Sequence, residues 1–390
     1  MKLANRRICV VVNSRANYGR IKSVLRAVKA HPALDLQLVV GASALLQRFG
    51  GVRSIMEQDG FVPSSVVHTI IEGETPATMA KSAGLGVIEL STQFESLKPD
   101  IVLTVADRFE TIATAIAASY MNIPVAHTQG GEITGSIDEC VRHAVTKLSH
   151  LHFPATELAK RNVIRMGEDP STVFWTGCPA IDLVADLKRA TPAELFSNYK
   201  GVGAQLDPDE PYIVVLQHPV TTEYGKGFNQ ICETLEAVRM LGMQAVWLWP
   251  NVDAGSDDVS KGLRMAREHG KAEHIHFYRN FSPEDYGSLI IGSSCIVGNS
   301  SSALREGAFL GIPAVNIGTR QQGRERGENV VDAGYDSAEI LRAMKVQVQR
   351  GRFPRNDLFG SGNAGLKIAE ILATVTPSIQ KRLHYGATGA

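Results

Sequence analysis

The sequence predicts an α/β protein built from two successive doubly wound, mostly parallel sheets with a central ligand cleft. Three observations carry this reading. Short apolar runs alternate with longer amphipathic stretches, the pattern of βαβ units. The alternation stops at a polar segment rich in Gly, Pro and Asp, near 190–210, and then restarts. A chain of 390 residues also exceeds what one compact core usually supports.

In the first half, RICVVVNS (7–14) reads as a buried strand, followed by a helix near 18–30. LDLQLVVGAS (34–43) is the next strand, and a long helix over 77–97 leads to the strand DIVLTVAD (100–107). A helix (109–121), the strand PVAHTQ (124–129), a helix (138–148) and the strand HLHFPA (150–155) complete this half. Beyond the polar segment, PYIVVLQHP (211–219), QAVWLWPN (244–251), HIHFYRN (274–280), SCIVGNS (294–300) and PAVNIG (313–318) read as strands separated by helices. The expected domains are 1–190 and 205–362, with a C-terminal helix over about 364–390 packing back on the first. In sheets of this kind ligands bind beyond the carboxyl ends of the strands, so the site is expected in the crevice between the halves.

Apolar residues make up 44% of the chain, and 40 Lys and Arg balance 40 Asp and Glu. This composition excludes disorder and gives no sign of a nucleic-acid or membrane-surface partner. Five scattered cysteines lack redox or metal-ligand spacing and suggest a reducing, cytoplasmic setting. No run reaches the roughly 18 apolar residues of a membrane span. The basic, then apolar, N-terminus reads as a first strand and not as a signal peptide.

The strongest local signal is SCIVGNSSSALREGAFLG, where a buried strand ends and a cluster including Ser300 and Ser301 opens a helix. Free N–H groups and small hydroxyls there suit a phosphate or diphosphate, or simply cap the helix. Glu306, about one and a half turns further, is placed to accept hydrogen bonds from a ribose diol, and Arg320 to neutralise phosphate charge. His218 and Asn251 close two strands of the second half and so are candidates for nucleotide or sugar contacts. Arg15 follows the first strand without a G-x-G-x-x-G pattern, which argues against a dinucleotide cofactor. Asp107 and Arg108 end another strand, as an active-site pair or as a helix cap. HTQGGEITGSIDECVRHAVTK (127–147) gathers Gln129, Glu132, Asp138, Glu139, Arg142 and His143 around two glycines. Asp138 also reads as an N-cap. Carboxylates converging on one cleft suit general acid–base work on a sugar. Neither a metal nor a cofactor is expected, since no cluster has zinc-ligand spacing.

Taken together, RANYG, DRFE, HTQGGEITGSIDECVRHAVTKLSH, GCPAIDL, QHPVTTE, PNVDAGS, VGNSSSALREGAFLGIPAVNIGTRQQGRERGENV and GSGNA resemble, in order and over nearly the whole length, the hydrolysing UDP-N-acetylglucosamine 2-epimerases. The resemblance implies two Rossmann-like domains arranged as in the B-type glycosyltransferases, in a cytoplasmic homodimer or tetramer. It implies anti elimination of UDP to a 2-acetamidoglucal, then syn addition of water with inversion at C2. By matching positions, Asp107, Asp138, Glu132, Gln129, His218 and Arg142 would serve catalysis. Arg15, Arg108, Asn251, Ser300, Ser301, Glu306 and Arg320 would hold UDP and the substrate. Gln129 departs from the pattern, because familiar members carry Glu in H-I-E-G-G and an amide cannot shuttle protons. The resemblance then implies proton transfer by Asp107, Asp138 or Glu132, or a different sugar such as UDP-2,4-diacetamido-2,4,6-trideoxyglucose of legionaminic acid synthesis. A B-type glycosyltransferase, a non-hydrolysing epimerase and a non-catalytic UDP-sugar sensor are the more distant alternatives.

Overall fold

The computed structural model describes residues 5–47, 51–270 and 272–384. Among them, the first sheet comprises β1 (Arg6–Val12), β2 (Leu34–Gly41), β3 (Ser65–Val67), β4 (Ile101–Val105), β5 (Val125–Thr128) and β6 (Leu151–Phe153). Its order is β3-β2-β1-β4-β5-β6, parallel throughout. The second comprises β7 (Gly201–Gly203), β8 (Tyr212–Leu216), β9 (Gln244–Leu248), β10 (Ile275–Tyr278), β11 (Cys295–Gly298), β12 (Ala314–Ile317) and β13 (Val330–Ala333). Its order is β13-β12-β11-β8-β9-β10-β7, parallel except for β7, which runs antiparallel to β10. The doubly wound α/β class expected from the sequence is the one found.

Central strands such as β1 and β8 are apolar on both faces because helices cover both sides of each sheet. The helix Arg15–Ala30 shows how a cover forms. The Ser14 side chain accepts the Asn17 N–H at its start, and Tyr18, Ile21, Val24, Leu25 and Val28 recur at helical spacing on the buried face. The C-terminal helix Ala364–Thr374 packs on it, and Ile368, Ala369 and Leu372 join the core of Ile8, Val10 and Leu25.

That last helix is shorter than the expected 364–390. It ends before Val375, in a Thr-Val-Thr-Pro run where Pro377 disfavours a helical predecessor. Residues 385–390 of the expectation lie outside the described residues. The 190–210 stretch is structured and attaches to the second sheet. Pro192–Asn198 is a short helix that buries Leu195 against Tyr212, and β7 adds an edge strand. Strands β3, β7 and β13 escaped sequence reading because three- and four-residue edge strands carry no sustained apolar run. Among the described residues no helix is long and apolar enough to cross a membrane.

Strand order reverses between β1 and β4 in the first sheet and between β8 and β11 in the second. Such switch points leave a crevice at the carboxyl ends of the strands. Here Ser14–Arg15 and Asp107–Arg108 leave one crevice while His218 and Asn299–Ser302 leave the other.

Candidate active site

The two crevices face each other across a cleft. Arg15, Asp107, Arg108, His218, Asn251, Ser300, Ser301, Glu306 and Arg320 line it. Gln129, Glu132, Asp138 and Arg142 do not line it; they stand behind or beside this wall. Contact between the lobes requires Gly135, where an added Cβ would lie 1.9 Å from the Thr319 carbonyl oxygen. The Gly135 N–H donates to the Arg320 carbonyl at 3.1 Å, and this close passage leaves Asp138 3.4 Å from the Arg320 guanidinium.

Asp107 follows Ala106, which holds a left-handed φ of 57°. The helix beyond starts at Thr111 with Glu110 as N-cap, so Asp107 is no helix cap. It is enclosed by three guanidinium groups: Arg142 at 2.6 Å, Arg20 at 3.2 Å and Arg324 at 3.4 Å. Burial works to raise its pKa, but Arg142, Arg20 and Arg324 hold it well below the usual carboxylate range. Asp138, the first residue of its helix, makes no N-cap hydrogen bond, since the cap position is Ile137. Its pKa is raised by burial and by the charge of Asp107, with Arg320 offsetting only part. One carboxylate is thus driven toward ionisation and the other toward keeping its proton.

Gln129 also has a left-handed φ, 62°, at the end of β5. Its Oε1 accepts from Arg305 Nη1 at 3.0 Å, and its Nε2 approaches Cys178 Sγ at 3.4 Å. Glu132 is ion-paired with Arg305 at 2.6 Å and Arg324 at 2.8 Å. Burial would push its carboxyl up; Arg305, Arg324 and Arg142 bring it to about 2. Arg142, fully buried, also donates to the Glu132 carbonyl at 2.7 Å and to Glu139 at 2.8 Å. His143 pairs with Glu139 on the flank of this helix.

On the opposite wall, the helix expected after Ser300 is two short pieces, Ser301–Leu304 and Glu306–Leu310, with a kink at Arg305. The kink coincides with the Arg305 side chain leaving the helix axis for Glu132 and Gln129. Arg320 donates to the Asn299 carbonyl at 3.2 Å. Arg15 crosses the cleft to the Asn251 side chain at 3.0 Å and the Arg279 carbonyl at 2.8 Å. Arg108 pairs with Asp253 of the other lobe at 2.9 Å. His218 Nδ1 accepts the Asn251 N–H at 3.2 Å, which assigns the ring proton to Nε2. Burial, and then the field of Arg320, Arg15, Arg108 and Arg20, depress its pKa well below 6.5, so it is neutral. Burial raises the Glu306 carboxyl as well.

Sequence reading missed Arg20, Arg305 and Arg324 as site residues. Arg20 left one signal, its place five residues after Arg15 on the same opening turns. Arg324 was noticed only as one of three arginines in seven residues. Among the described residues no group of three or more His, Cys, Asp or Glu is placed to hold a metal.

A histidine also supports this wall from beneath. His127, fully buried on β5, bonds through Nε2 to the Ala106 carbonyl at 2.8 Å, in the turn that presents Asp107. Burial lowers its pKa to about 3. The folded state therefore resists a proton that the unfolded chain accepts near pH 6.5, and stability falls as pH drops from 6.5 toward 3. Between pH 6.5 and 4.5 the unfolding free energy is expected to decline, with His127 contributing at most about 1.4 kcal/mol per pH unit. Urea titrations across that window should show a shallower decline for His127→Gln; an unchanged slope would refute the assignment.

Two opposed switch points, with buried arginines, serine hydroxyls and two aspartates of oppositely shifted pKa gathered around one cleft, are the features of a two-lobed α/β enzyme. The chain belongs to the UDP-N-acetylglucosamine 2-epimerase family, whose model matches residues 26–373. It is 32% identical over 371 residues to UDP-N,N'-diacetylbacillosamine 2-epimerase (hydrolyzing) of Legionella pneumophila, covering 95% of this chain and 96% of that one. It is 27% identical over 383 residues to UDP-N-acetylglucosamine 2-epimerase of Neisseria meningitidis, covering 97% and 98%. The crystal structure of UDP-GlcNAc 2-epimerase from Neisseria meningitidis bound to UDP-GlcNAc superposes with a TM-score of 0.76. That match is 19% identical, covers 94% of this chain and 99% of the other, and supports the shared two-lobed fold.

Proposed function

We propose that the protein is a cytoplasmic hydrolysing 2-epimerase that converts UDP-N-acetylglucosamine and water into UDP and N-acetylmannosamine. The observation that supports this reading is the opposite pKa bias of Asp107, on one wall of the cleft, and Asp138, beside that wall and 3.4 Å from Arg320, with Ser300, Ser301 and Arg320 on the facing wall. Pairs of titratable groups pushed apart in pKa are the arrangement acid–base chemistry needs.

The C2–H bond of the sugar is not acidic, so loss of the C1–O bond to the diphosphate leads. Arg15, Arg108, Arg320 and the serine hydroxyls take up the charge that gathers on the departing UDP. Neutral His218, with its proton on Nε2, adds a donor on the same side. As the C1–O pair leaves with UDP, Asp107 removes the C2 proton, and the C2–H electrons form the C1=C2 bond. Water then adds its oxygen to C1 and gives up one proton, while C2 receives a proton on that same face, opposite to the face from which Asp107 took one. Asp138, biased toward its protonated form, is the donor for that return. Ionised by three guanidinium groups, Asp107 is a weak base, which fits an elimination in which bond breaking at C1 runs ahead. Gln129 and Glu132 act as positioning residues, fixing the arginines behind Asp107. In this way the amide at 129 is compatible with turnover.

A second reading is favoured by the Legionella relative, named for a diacetylated sugar and matched at higher identity than the N-acetylglucosamine enzyme. Under it the substrate is UDP-2,4-diacetamido-2,4,6-trideoxyglucose, with the same bond changes. Incubation with each nucleotide sugar in deuterated water separates the readings by product NMR. A 2-epimeric free sugar carrying deuterium at C2, with one equivalent of UDP, is expected from the true substrate. An epimer still attached to UDP, or transfer to a second sugar, would overturn the hydrolytic reading.

A further inference from the structure

We propose that Tyr286 is a positioning residue for the diphosphate, acting through a one-way chain of hydroxyls from Tyr286 to Ser302 to Ser300. The proposal rests on the reading above that UDP seats its diphosphate at Ser300 and Ser301.

Tyr286 lies on the helix Pro283–Gly292, which follows β10, and its ring lines the cleft beside the serines. Its hydroxyl is 2.6 Å from Ser302 Oγ, which is in turn 2.9 Å from Ser300 Oγ. Each oxygen carries one hydrogen, so the chain can run in either of two directions. Two facts choose between them. A phenol is far more acidic than an alkyl hydroxyl, so it donates better and accepts more poorly. Ser300 Oγ already accepts the Ser302 N–H at 3.4 Å. If Tyr286 donates to Ser302 and Ser302 donates to Ser300, both lone-pair directions of Ser300 Oγ are filled. Its own hydrogen must then point outward, into the cleft where a phosphate oxygen would sit. In the reverse direction Ser300 would spend that hydrogen on Ser302 and present a lone pair to an anion, which is repulsive.

Burial pushes the pKa of the Tyr286 phenol above its usual value, so the donor stays protonated through the working pH range. Ser301 is committed separately, because its Oγ accepts from Arg20 Nη2 at 2.7 Å. Ser300 is therefore the serine whose donor direction is set by a neighbour, and Tyr286 is the residue that sets it.

The test is calorimetric binding of UDP to Tyr286→Phe, Ser302→Ala, the double variant and Ser300→Ala, paired with steady-state kinetics. Loss of the phenolic hydroxyl is expected to weaken UDP binding about threefold to tenfold. Ser302→Ala should give a similar loss, and the double variant should lose no more than the larger single one, because either change breaks the same chain. The kinetic loss should appear in kcat as well as KM, since charge on the departing diphosphate grows in the transition state. Two outcomes overturn the proposal while leaving the UDP site intact. One is a weakened Ser300→Ala beside an unchanged Tyr286→Phe, and the other is fully additive losses in the double variant. Unchanged UDP affinity in Ser300→Ala would remove the diphosphate site itself, and the proposal with it.

Discussion

Asp107→Asn is expected to lower turnover by about two to four orders of magnitude, the usual yield of a positioned acid or base. UDP affinity should stay within a few-fold. The substitution keeps size and an oxygen that can accept from Arg142, so the wall behind the cleft stays in place. What it removes is the ability to take a proton, and the loss is therefore confined to the chemical step. The measurement is a coupled UDP-release assay beside UDP calorimetry, with circular dichroism to check folding. Deuterium entry at C2 should vanish in step with turnover. Near-normal turnover in this variant would remove Asp107 from the proposed role.

Glu132→Ala is expected to destabilise the fold by about 3–5 kcal/mol, because it strands buried Arg305 and Arg324 without their shared counter-charge. The figure exceeds an ordinary surface ion pair because Glu132 is 4% exposed, Arg305 1% and Arg324 5%, so water cannot take over the solvation. Glu132→Gln should cost less, since its amide oxygen still accepts from Arg305. Denaturant midpoints for the three proteins, at unchanged slope, report the difference. A Glu132→Ala protein within about 1 kcal/mol of wild type would contradict the idea that this carboxylate anchors the arginine cluster.

The contrast between these two carboxylates shows where sequence reading stopped. Asp107 was legible because it ends the continuous apolar run of β4, and strand ends at switch points face a crevice. Arg15, His218, Asn251 and Ser300 were legible by the same logic. The partners of Glu132 were not, because Arg305 is 173 residues away and Arg324 is 192 residues away. No local spacing encodes such a pairing; the docking of the two sheets creates it. Arg305 was further hidden in the stretch read as one helix, where only the kink frees its side chain to turn inward. Core strands were read for a related reason. Burial on both faces leaves a long apolar signature, whereas β3, β7 and β13 lie at sheet edges and leave almost none.

Arg324 follows β12, whereas Asp107 follows β4, so the contact between them exists only while the lobes are engaged. The positive field around this aspartate is therefore a joint product of both halves of the chain, with Arg20 and Arg142 supplied from its own lobe and Arg324 from the other.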